Sequence, residues 1–245
     1  MARKPALTPA HAPRTPQSPD GAVATTRSSS VYAQLRTDIS HGALEPGSKL
    51  RVEAMGKRYG VGASPLREAL SRLSAEGLVD RTDQRGFSVA ALKWDELPIL
   101  THNRVQLEAL ALRESIAARD AAWEDQLVLL VHRLSRTPRS LSATQYQPNP
   151  AWETLHRDYH RTLLARCPSR WLRGFCDTLA EEAYRFRQLA AGQSFTKRNE
   201  HAEHAALFEA AIAGDADEAV RLLTEHYTRT AALVATQARR RGHAA

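Results

Sequence analysis

From Ser30 onward the apolar residues fall at helical spacing. Val31, Leu35 and Ile39 recur four residues apart and predict a first helix that stops at His41–Gly42. Pro46–Gly47 reads as a turn, and Met55 with Tyr59 marks a second helix closed by Gly60. After the tight connection Val61–Gly62–Ala63, Ser64–Pro65 predicts a new helix start. Ser64 can accept from a free backbone N–H there, and Pro65 at the first helical position loses nothing by lacking one. Leu66, Ala69, Leu70 and Leu73 form one stripe for burial, with Gly77 placed to cap the end. Two β-like runs follow, Leu78–Arg81 and Phe87–Ala91, separated by the polar turn Thr82–Gly86. Three helices and a hairpin in residues 28–92 are the plan of a winged helix-turn-helix.

After Lys93 the pattern is helical throughout. Apolar residues keep helical spacing over Leu97–Ala118, Trp123–Leu134, Trp152–Ala165, Trp171–Ala190, Thr196–Ala213 and Asp215–Ala238. Thr137–Pro150 carries three prolines and reads as a long loop. Asp215-x-x-Glu218 directly after Gly214 is a capping box, so the last two helices should form an antiparallel hairpin. The fold class predicted is mainly α: a winged helix-turn-helix, then an antiparallel bundle of six or seven helices over residues 93–238.

Composition narrows the class. The 245 residues, 42% apolar and 25% charged, suffice for two ordinary domains with a sizeable core. No apolar run approaches a membrane span, and none follows Met1 as a signal segment, so a cytoplasmic location is expected. Cys167 and Cys176 are too few for a disulfide framework and read as small buried residues. Trp123, Trp152 and Trp171 lie on apolar stripes and read as core.

The net charge of +7 is unevenly spread. Residues 1–27 hold four Lys/Arg against one acid and five prolines, and read as a disordered tail. Residues 28–92 hold nine against seven, and 93–238 eighteen against nineteen. Arg239, Arg240 and Arg241 open a basic tail over 239–245. Positive charge concentrated in the first third favours a polyanion partner for that region.

In a helix-turn-helix the second helix enters the major groove. Here that helix presents Ser64, Arg67, Glu68, Ser71 and Arg72 opposite its leucines. Arg67 is the candidate for a guanine contact, because its fork matches the O6/N7 acceptor pair. Lys57, Arg58, Arg81, Arg85 and Gly86 at the wing are placed for phosphate. The competing reading is a solvated basic face. The run Tyr59–Gly60–Val61, Ser64–Pro65–Leu66–Arg67–Glu68–Ala69–Leu70, Glu76–Gly77–Leu78–Val79 and Arg85–Gly86–Phe87–Ser88–Val89 resembles the DNA-binding domain of the GntR family of bacterial transcription regulators. One departure stands out. Members usually carry Ser-Arg where this chain has Gly62–Ala63, and that Arg contacts DNA, which implies a lost contact and a different operator.

The chain has ten histidines, and four of them are informatively placed. His156 and His160 are four apart and share a helix face. His204 lies ten residues before Gly214 and His226 twelve after it. At ~1.5 Å per residue both stand about 15–18 Å from the turn, level with one another on two antiparallel helices. Each shares a stripe with apolar neighbours, so all four imidazoles should point inward. A divalent metal between the helices would satisfy several at once, and imidazole suits zinc, nickel and copper. The alternative is a set of hydrogen-bonded core histidines.

The pattern Leu155–His156-x-x-Tyr159–His160, then Glu203–His204 and His226–Tyr227, resembles the FCD ligand-binding domain of the FadR-like GntR branch. The resemblance implies a bundle in which Asp and three His hold a metal beneath a small carboxylate effector. His160, His204 and His226 match those histidines, and His156 replaces the Asp. Four imidazoles without an anionic ligand keep the full charge of the metal, and zinc is the first expectation. Arg104 matches a pocket arginine of the family and could clamp a carboxylate, or simply pair with Glu108. His201 could touch the effector or be surface. Arg185, Arg187 and Asn199 read as solvent-facing.

The leading reading is a DNA-binding transcription regulator, expected as a homodimeric repressor on an inverted-repeat operator and controlled by a small organic acid. A metal-dependent, hydrolase-like enzyme is the rival. No general base sits in an HExxH-like helix and no nucleophile motif is present, so no catalytic residue is assigned. A helical adaptor with structural histidines is the third reading.

Overall fold

The computed structural model describes residues 27–82, 86–190 and 199–240. The expectations for the N-terminal tail, the helix start at Thr196, Arg85 and the last five residues lie outside that set.

The head begins with α1 (Arg27–Ser40), β1 (Lys49–Leu50), α2 (Val52–Tyr59) and α3 (Ala63–Ala75), followed by β2 (Val79–Thr82) and β3 (Gly86–Val89). The three strands pair antiparallel in the order β1-β3-β2, with Leu50 opposite Phe87 and Val79 opposite Val89. The pattern foretold the hairpin but not β1, since two residues are too short to show alternation. Leu66, Leu70 and Leu73 of α3 are fully buried against Val31, Leu35 and Ile39 of α1. At about 1.5–3 kcal/mol per buried aliphatic side chain, this stripe anchors the head.

Helix α3 starts two residues earlier than a Ser64 cap implied. Gly62 is its extended N-terminal cap without a side-chain bond, and Pro65 falls third in the helix, where an N–H is still not needed. Backbone conformation, rather than the serine hydroxyl, begins this helix.

A 3-10 turn at Trp94–Glu96 leads into α4 (Leu97–Ala117), α5 (Ala121–Arg136), α6 (Pro150–Leu163), α7 (Arg170–Ala190), α8 (Glu200–Ala213) and α9 (Ala216–Arg240). These six helices, among the described residues, match the expected bundle. Glu218 N–H donates to Asp215 Oδ1 (3.0 Å), while the Glu218 carboxylate turns to Arg221, so only half of the capping box forms. Gly214, at φ +79°, closes α8 and reverses the chain. Trp123, Trp152, Leu127, Leu163 and Leu207 fill the main core, and Cys167 and Cys176 are buried in it.

Two expectations fail on α7. Trp171 is 68% exposed, because Leu172 and Cys176 occupy the buried side of the helix and Arg170 lies over the indole (4.4 Å). Arg185 is 2% exposed and Arg187 pairs with buried Glu153. The C-terminal half of α7 packs against both the head and the bundle, which takes Arg185 and Arg187 largely out of water. Asn199 is exposed as expected and caps α8 through Ala202 N–H (3.1 Å).

Head and bundle meet along α7. Tyr184 Oη and His41 Nε2 are 2.8 Å apart, Arg185 donates to the Ala90 carbonyl (2.8 Å), and Arg36 bridges Glu181 (3.2 Å) and Glu76 (3.6 Å). Gly42 turns at φ +76°, and a Cβ there would lie 2.8 Å from Leu189 Cδ2. We expect Gly42→Ala to lower stability by about 1–3 kcal/mol through the left-handed backbone alone. An unchanged urea unfolding midpoint would contradict this contact.

Candidate functional site

On the head, the outward side of α3 carries Ser64, Arg67, Glu68, Ser71 and Arg72, all exposed. Among the described residues Arg67 makes no ion pair, leaving its fork available. Arg72 lies over the Tyr32 ring (4.1 Å), and the Tyr32 hydroxyl donates to Glu76 (2.6 Å), tying the end of α3 to α1. Arg58 is engaged by Asp38 (2.7 Å) and Lys57 by Glu53 (3.2 Å). Gly86 is exposed at the root of the wing, and Arg81 is exposed on β2. Among the described residues, Arg67 on the second helix of the helix-turn-helix and Arg81 on the wing are therefore cations of this face without an ion pair.

In the bundle the four histidines come together. His156 and His160 project from α6, His204 from α8 and His226 from α9, and their ligand nitrogens lie within 4.8 Å of one another. His160, His204 and His226 are buried, and Trp152 stacks on His156 at 4.6 Å. Burial drives the pKa of His156 and His160 well below the ordinary value, and the neighbouring imidazoles add to it. Both are thus neutral near pH 7, the form that coordinates a metal.

A second shell orients two of the rings. Burial holds the Tyr227 phenol protonated, the nearby Glu108 carboxylate adding to the effect and Arg104 opposing it. Its O–H donates to Glu108 Oε2 at 2.5 Å. The phenol oxygen then accepts from His160 Nδ1–H at 3.1 Å, which leaves the Nε2 lone pair directed away. That Nε2 is buried with no hydrogen-bond partner among the described residues. An unsatisfied buried polar atom of this kind costs about 1–3 kcal/mol. His226 Nδ1 lies 2.9 Å from Glu203 Oε2, and Arg229 balances that carboxylate at 2.6 Å. Tyr159 donates to the His204 carbonyl at 2.9 Å and fixes α8 against α6. Four clustered imidazoles, with partners on the outer nitrogens of two, fit a borderline divalent cation.

The histidines open on a cavity of about 270 Å³ between α4, α6, α7 and α9, lined by His156, His160 and His226. Arg104 lines it too, bonded to Glu108 (2.6 Å) with its guanidinium over the Tyr227 ring (3.8 Å). Burial opposes the charge on Arg104, but Glu108 outweighs it and raises the guanidinium pKa. The pairing expected as an alternative is therefore present, yet it lies inside the cavity wall. His201 is exposed and is not among the residues that line this cavity. Sequence reasoning named Glu108 only as a possible partner of Arg104 and Glu203 only within the family motif, and it read Arg187 as solvent-facing. Glu203 and Tyr227 each adjoin a clustered histidine in sequence, which is the signal that pointed to their roles.

Two sequence models match the chain: "Bacterial regulatory proteins, gntR family" over residues 27–89, and the FCD domain over residues 100–229. The HTH-type transcriptional regulator BphR of Paraburkholderia xenovorans is 38% identical over 196 residues, covering 80% of both chains. The HTH-type transcriptional repressor GlaR of Escherichia coli is 31% identical over 199 residues, covering 80% of this chain and 90% of its own. Among solved structures, E. coli McbR/YncC shares the fold with a TM-score of 0.68 at 19% identity, over 86% of this chain and 98% of that one. Fold and relatives together define a DNA-binding transcription regulator rather than an enzyme. The chain belongs to the GntR family and carries an FCD domain. No described helix is long and apolar enough to cross a membrane.

If the Tyr227 hydroxyl sets the His160 tautomer, Tyr227→Phe should weaken zinc affinity about 10–100-fold. Competition with a chromogenic chelator measures it, and unchanged affinity would remove Tyr227 from the site.

Proposed function

We propose that the chain is a cytoplasmic, homodimeric repressor whose operator affinity is set by a small carboxylate bound beside a metal in the bundle. In this reading residues 28–92 form the DNA-binding unit and 93–238 the sensor. The observation that carries it is the convergence of four imidazoles, three of them lining a cavity whose wall, α7, also contacts the head. His156, His160, His204 and His226 would hold the metal, with zinc favoured by the all-imidazole set and nickel or another transition metal next. When bound, the ion supplies uncompensated positive charge that attracts a carboxylate. Arg104 stands beside it as a second cationic group.

Arg67 is assigned to a base edge, with Ser64, Ser71 and Arg72 on the same helix face. Lys57, Arg58, Arg85 and Gly86 are assigned to the phosphate backbone. A two-fold dimer calls for an inverted-repeat operator. The route from cavity to head runs through Glu181, which pairs with Arg157 in the cavity wall (3.6 Å) and with Arg36 of α1. Arg36 also reaches Glu76 at the end of the recognition helix. An effector that shifts α7 thereby acts on the recognition helix, as a coupling between sites requires.

Arg67→Ala should abolish specific footprinting while leaving the circular dichroism spectrum unchanged, and a wild-type footprint would refute the recognition-helix assignment. His204→Ala and His226→Ala should each lose the metal by elemental analysis, and full metal content in either would remove that residue from the site.

A further inference from the structure

The cavity has two chemically different ends. Along α9 its wall runs through His226, Tyr227, Thr230, Ala231 and Val234. Eight residues of helix separate His226 from Val234, about 12 Å along the axis. Along α4 the wall runs the opposite way, from Glu108 and Arg104 to Thr101 and Leu97. The pairing of Tyr227 with Glu108 fixes one end as polar. At the other end, Leu97, Phe186 and Val234 form a separate apolar cluster.

Between the two ends, the polar lining residues of α4 and α9 are Thr101 and Thr230, and neither has a hydroxyl proton to give a ligand. The Thr101 hydroxyl donates to the Leu97 carbonyl (2.8 Å) and the Thr230 hydroxyl to the His226 carbonyl (2.7 Å). Both protons are spent on the helices that carry them, and the neighbouring Ala183 and Ala231 leave room without adding donors. The cations Arg157 and Arg161 are neutralised by Glu181 (3.6 Å) and Asp177 (2.8 Å). A polyhydroxy acid would find no free hydroxyl donor on α4 or α9 here, and each hydroxyl oxygen left without a donor costs about 1–3 kcal/mol. An acetate-sized acid would leave the far half empty.

We infer that the ligand is a carboxylic acid with an apolar body, an aryl or branched alkyl acid, its carboxylate at the histidine end and its body against Leu97, Phe186 and Val234. This rests on the proposed effector site and adds the ligand class. The apolar end is also where the ligand would be sensed. Phe186 packs edge-on against Trp94 (5.2 Å), in the turn that joins the wing to the bundle.

The test uses the full chain loaded with cobalt, whose absorption reports a carboxylate reaching the metal, and calorimetry with acetate, phenylacetate, succinate and gluconate. Phenylacetate should alter the cobalt spectrum and bind at least about tenfold tighter than acetate. Ala231→Leu, which fills the middle of the cavity, should erase that margin while acetate binding and the cobalt spectrum persist. Thr101→Val, which keeps the shape and removes the hydroxyl, should leave phenylacetate affinity unchanged. Tighter binding of succinate or gluconate than of phenylacetate, or a tenfold loss in Thr101→Val, overturns the apolar class but leaves the effector site standing. Failure of every acid to change the cobalt spectrum overturns the effector site itself, and the ligand class with it.

Discussion

Neutral imidazoles packed into a protein interior retain a lone pair that demands either a donor or a cation. In this chain the demand is sharpest at His160 Nε2, because Tyr227 and Glu108 occupy the opposite nitrogen. The rest of the bundle is arranged around that constraint. Three helices, α6 and the α8–α9 hairpin, must hold their registers to within a fraction of a turn for the rings to meet. Tyr159, reaching across to the His204 carbonyl, and Glu203, reaching back to His226, are the bonds that set those registers. A protein that needed only a stable core would have placed leucines here, since desolvating four polar rings is costly without a compensating partner.

The same economy of placement explains α7. It closes the cavity with one face and receives the head with another, so its arginines serve as internal ties rather than surface charge. Arg187 meets Glu153 beside the histidines, and Arg185 meets the backbone at Ala90, where the wing hands over to the bundle. Rigid coupling between a ligand cavity and a DNA-reading head needs such a shared element, because loop connections alone transmit little.

Much of this was legible in the residues. The α1 and α3 stripes, the hairpin and the inward faces of the four histidines follow from spacing, since burial imposes periodicity on any helix with one wet side. Spacing misleads at both ends of α7: Trp171 read as core although its turn is exposed, and Arg187 read as surface although the C-terminal half of the helix packs against both the head and the bundle. The start of α3 was misplaced because a backbone conformation at Gly62 outweighed a serine with the right chemistry at Ser64. The bonds of Glu108 to Tyr227 and of Glu203 to His226 were not foreseen for another reason. A carboxylate acquires its role from a partner tens of residues away, 119 in the case of Tyr227 and Glu108, and no local pattern encodes that distance.

The central claim, that the imidazoles form one coordination sphere, is most directly tested by X-ray absorption on the zinc-loaded chain. The account predicts one zinc per chain with four nitrogen scatterers at about 2.0–2.1 Å and the outer-shell signature of imidazole. A sphere dominated by oxygen, a sulfur contribution from Cys176, or fewer than three imidazoles would contradict it.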